Sequence, residues 1–207
     1  MAPDRQSENI ERSGNARALS LRRSLLIGGI GFALVSLGIF ATVAFAERWM
    51  YSNLGVSGSY VVWTILFMLL GGSVFSLLAV EQNRMLRFHA LFGAAFFSYA
   101  VGWVGMYFII RGSFGEWLGS LLGSVLMALV IAAGFGVLRS APGMSLLLFV
   151  TNSTGYFLGS VLNDALRGQP GMLLWGAVYG LFLGAGLGAS LYIAQSRRAP
   201  GSEIPGV

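Results

Sequence analysis

Six apolar stretches, 24–46, 59–80, 88–110, 117–138, 144–166 and 171–194, take up most of this 207-residue chain. A helix crosses the roughly 30 Å hydrocarbon layer of a bilayer with about 20 apolar residues, and each stretch is that long. Lipid offers no partners to open backbone, so such stretches are helical. The expected fold is an all-α integral membrane protein, a bundle of six transmembrane helices with the lipid bilayer as its first partner. Residues 1–23 and 195–207 are then tails; the first lacks apolar periodicity and reads as disordered.

Composition agrees where it bears on this. The mean hydropathy is +0.74 and only 10% of residues are charged, too little charge for an ordinary soluble domain. With no Cys and one His, thiolate chemistry and Cys-ligated metals are excluded. No residue set specifies a metal, a cofactor or a reaction, so none of the three is expected.

All thirteen basic residues are Arg. Ten fall on one side if the N-terminus is cytoplasmic, and Arg48, Arg111 and Arg167 fall on the other. In a membrane protein this asymmetry reports orientation, so the net charge of +5 implies no nucleic-acid partner. Both termini are expected in the cytoplasm, most simply of a bacterial inner membrane. Trp49, Trp63, Trp103, Trp117 and Trp175 then all lie near the outer interface, where an indole keeps its ring in hydrocarbon and its N–H wet.

The first stretch ends in Ala44-Phe45-Ala46, which resembles a signal-peptidase site, yet its apolar core is longer than a signal peptide's; a retained helix is expected. The outer loop predicted over 47–58 contains Gly55-Val56-Ser57-Gly58, which resembles the GxSG motif of rhomboid intramembrane proteases. That family sets its Ser against a His on a later helix opening to the same side. His89 lies a bilayer away from Ser57, so the resemblance implies no dyad here, and 55–58 reads as a turn.

Gly176, Gly180, Gly184 and Gly188 recur every four residues in the last stretch and form one bare stripe, a docking face for another backbone. Either a neighbouring helix lies along it at a shallow angle, or it serves a second copy or another subunit of a membrane complex.

Residues 84–93 and 171–180 share Met, Leu, Ala and Gly at an offset of 87, which suggests halves of three spans each, inverted across the membrane. The fifth stretch carries the one polar stripe through the bilayer: Asn152, Ser153 and Thr154, then Tyr156 and Asn163. These residues either glue neighbouring helices together or line a site for a small solute or ion. The leading functional expectation is a small-solute or ion permease or channel rather than an enzyme; the alternative is a non-catalytic assembly subunit packed through the glycine stripe.

Overall fold

The computed structural model describes residues 20–78 and 85–197. Within them the chain is helical: α1 (Leu21–Ser76), α2 (Met85–Ile110), α3 (Gly112–Gly134), α4 (Ala141–Leu166) and α5 (Gly168–Ser196), with a short 3-10 turn at Leu138–Ser140. All five helices are long and apolar enough to cross a membrane. Most of the predicted tails and residues 79–84 lie outside the described residues.

The 56-residue α1 is not straight. Phe32 and Phe75 would stand roughly 65 Å apart on a continuous helix, yet their ring centroids are 5.6 Å apart. The Trp63 indole likewise donates to the Thr42 hydroxyl at 3.0 Å. The fold-back occurs at Gly55, whose φ of 68° and ψ of 176° leave the helical region, a conformation open to glycine and costly for other residues. The predicted outer loop 47–58 is therefore corrected to helix on both sides of a one-residue bend. Met50 and Trp63 bury their side chains between the two arms, and Ser52 and Asn53 return hydrogen bonds to the Trp49 carbonyl. Ser57, just past the bend, is exposed, whereas His89 packs over Gly72 at the far end of the arm.

A related bend recurs twice, there with a second positive-φ residue after the turning one, Gly112 and Gly168. Arg111 (φ 56°, ψ 162°) joins α2 to α3 and Arg167 (φ 52°, ψ 158°) joins α4 to α5, so Gly55, Arg111 and Arg167 follow one another at intervals of 56 residues. Burial keeps this interval. Phe32, Phe88 and Met144 are buried, as are Ser36, Phe92 and Leu148, Gly71, Met127 and Leu183, and Phe75, Ile131 and Leu187; Leu34, Ala90 and Leu146 are exposed. The chain is thus three helical hairpins, 21–76, 85–134 and 141–196, in parallel orientation with their bends at one end. This differs from the predicted halves of three spans. The residues shared at an offset of 87 are those that apolar helices hold in common, whereas the repeat in the backbone is carried by bend geometry and burial.

The hairpins close a ring. The second arm of α1 packs on α2 through Phe75 and Phe92, with centroids 5.2 Å apart. Trp117 of α3 stacks on Phe157 of α4 at 4.2 Å. The first arm of α1 lies along the glycine stripe of α5. A side chain at Gly184 would collide with the Gly28 carbonyl, one at Gly188 with the Ser24 carbonyl, one at Gly180 with Phe32 and Ser36, and one at Gly176 with Phe40. The stripe thus faces a helix of the same chain along its whole length, the shallow crossing that four glycines in series allow.

Candidate functional site

The three junctions differ in chemistry. The junction of the first and second hairpins is phenylalanine on phenylalanine, and that of the third and first is backbone on glycine. Polar side chains collect where the second hairpin meets the third. On α4, Asn152 is 0% exposed; its Nδ2 donates to Ser120 Oγ of α3 at 2.8 Å and its Oδ1 accepts from Tyr99 of α2 at 2.8 Å. The Tyr99 and Tyr179 hydroxyls lie 2.9 Å apart, and Ser120 and Ser153 share a hydrogen bond of 2.7 Å. The Asn152 amide ties three helices directly and α5 through the two tyrosines; its burial would cost several kcal/mol by the usual rough estimate without such partners.

Tyr99 and Tyr179 reach each other by a reciprocal arrangement. Each hairpin pairs a residue before its bend with one at the same spacing after it. In the second, Trp103 lies against Gly119 and Tyr99 against Gly123; in the third, Trp175 lies against Gly159 and Tyr179 against Gly155. Large and small residues have exchanged arms between the two hairpins. Tyr99 and Trp103 consequently project from one hairpin toward Tyr179 and Trp175 of the other.

One turn toward the bends, Tyr156 stands among these rings, with centroids 5.3 Å from Trp103, 5.4 Å from Trp175 and 6.4 Å from Tyr179, all edge-to-face. Its hydroxyl donates to Glu116 Oε1 of α3 at 3.2 Å. The Trp103 and Trp175 indole N–H groups are buried and have no partner among the described residues.

Of the predicted lining residues, Asn152, Ser153 and Tyr156 meet in this junction. Thr154 does not: it is exposed on the outer face of α4, because a 100° step per residue turns it away from Asn152 and Ser153. Asn163 lies about three turns along α4, where its carbonyl accepts from the Arg167 N–H at 2.7 Å and its side chain sits against Gly171; it belongs to the bend. Glu116 is not among the predicted lining residues, since the predicted apolar stretch begins at 117. Its signal is legible nonetheless: Glu116, Ser120 and Ser124 recur at steps of four and place one polar edge on α3.

No protein-family model, curated protein or solved structure matches this chain, and the reading of the site rests on its own geometry.

Proposed function

We propose that this is a six-crossing membrane protein, each hairpin entering and leaving the bilayer, which binds and passes a small solute at the junction of its second and third hairpins. Both termini are cytoplasmic in this reading and the three bends face outward. The observation that carries it is the Glu116 carboxylate, half-buried in the first turns of α3, where it accepts from the hydroxyl of Tyr156 at the centre of the aromatic cluster. A neutral side chain could accept the same hydrogen bond, and ionisable groups inside membrane proteins mark sites of function. The Asn152 network closes the path one turn deeper, as a gate held by side-chain hydrogen bonds that can exchange partners.

Proteoliposomes challenged with urea, glycerol and choline chloride should swell faster than protein-free vesicles for at least one solute, and Asn152→Leu should change that rate. Equal rates for all three, with folded protein present, overturn the reading. Orientation is checked on the naturally Cys-free chain. An impermeant thiol reagent applied to whole cells should label Ser57→Cys at the first bend and miss Leu138→Cys, which is 58% exposed at the opposite end; the reverse pattern inverts the topology.

A further inference from the structure

Resting on that reading, we infer that the solute is an organic monocation of the alkylammonium type, held by Glu116 and the aromatic faces around Tyr156. Three features of the junction converge on this class. The first is the sign of the site: Glu116 is half-buried and accepts from the Tyr156 hydroxyl, and no basic side chain among the described residues pairs with it. The second is the wall. Trp103, Trp175 and Tyr179 surround one position from two hairpins, Tyr107 stacks behind Trp103 at 5.5 Å, and Tyr156 fills that position with edge-to-face contacts. Such contacts set the positive edge of one ring on the negative face of another, and an ammonium group is attracted to aromatic faces in the same way. The third is the unpaired state of the two buried indole N–H groups. The buried Ser36, Ser124 and Ser190 hydroxyls share this state, but of these five groups the indoles are the ones carried on rings around Tyr156, where a hydroxyl or carbonyl on the solute would supply an acceptor.

Tyr156 therefore stands in for the cation in the state described here. Its ring occupies the aromatic position and its hydroxyl occupies the carboxylate, so solute must displace it. This gives the two residues opposite effects. Removing the charge removes the attraction; removing the hydroxyl frees the carboxylate while keeping the ring.

The test is choline binding to the purified full chain, by calorimetry or by quenching of tryptophan fluorescence, with potassium chloride as the control for charge alone. Glu116→Gln should weaken choline binding at least tenfold and Tyr156→Phe should tighten it about threefold, with thermal stability followed for both variants. A purely structural role for the pair moves both affinities in the same direction, or neither, and overturns the inference. Swelling with urea or glycerol but no choline binding also overturns it while leaving the proposed passage of a solute intact. Choline binding with the opposed pair of effects, and no flux of any solute, upholds the inference and refutes passage.

Discussion

The stripe of α5 and the polar face of α4 both mediate contact between hairpins, and they do so by opposite means. Along α5, glycines remove side chains so that α1 approaches backbone to backbone, and the contact leaves little room for rearrangement. Along α4, Asn152, Ser153 and Tyr156 meet α2 and α3 through hydroxyls, an amide and the Glu116 carboxylate, each of which can trade one partner for another. In lipid, where apolar burial gives little net driving force between helices, close packing and hydrogen bonds are the two available glues. A bundle that uses one at each of two junctions has a rigid seam and a hydrogen-bonded one.

The largest expected effect is at the rigid seam. Gly184→Leu drives a side chain into the Gly28 carbonyl and Phe32 and should destabilise the bundle by about 3 kcal/mol or more; Gly38→Leu, with open space around it, should melt with the native protein. Wild-type stability of the Gly184 variant in detergent would mean that the two helices do not touch there. At the polar seam Asn152→Leu leaves Ser120 and Tyr99 each short of a partner, an expected loss of about 1–3 kcal/mol, against no more than about 0.5 kcal/mol for Thr154→Val on the exposed face. Equal losses would erase the distinction between the two faces of α4. The smallest effect concerns the bends. Arg111→Gly and Arg167→Gly should each stabilise the fold by about 1 kcal/mol, because the positive φ costs an L-residue roughly that much and glycine little. A loss on either substitution would show that the arginine does more for the bend than its backbone strain takes away.

Much of this was legible in the sequence. Length and hydropathy alone give an all-helical chain of long apolar segments, since a membrane leaves the backbone few other options, and the four glycines announce a close crossing; they do not reveal that 47–58 is helix. The partner of that crossing was not legible, because a bare stripe carries no information about which backbone will lie on it. The bends were hidden for a related reason. Gly55 reads as a turn glycine, but Arg111 and Arg167 are residues that seldom adopt positive φ, and only the backbone reveals that all three do the same work. Glu116 escapes through a choice of boundary: with the apolar run started at Trp117, its acid falls outside the span instead of standing as the first member of the column it forms with Ser120 and Ser124.

The reciprocal exchange of large and small residues between the second and third hairpins also constrains how the protein can change. Tyr99 sets its ring on Gly123 and Tyr179 sets its backbone on Gly155, each within one hairpin, yet it is the bond between the two tyrosines that joins the hairpins. A substitution on one arm alters its own hairpin and the neighbour together. Variation at these positions is therefore expected to arrive in matched sets, so that aromatic–glycine pairs swap arms as units, and a chain in which only one pair has swapped would hold two bulky rings, or two voids, on the same level.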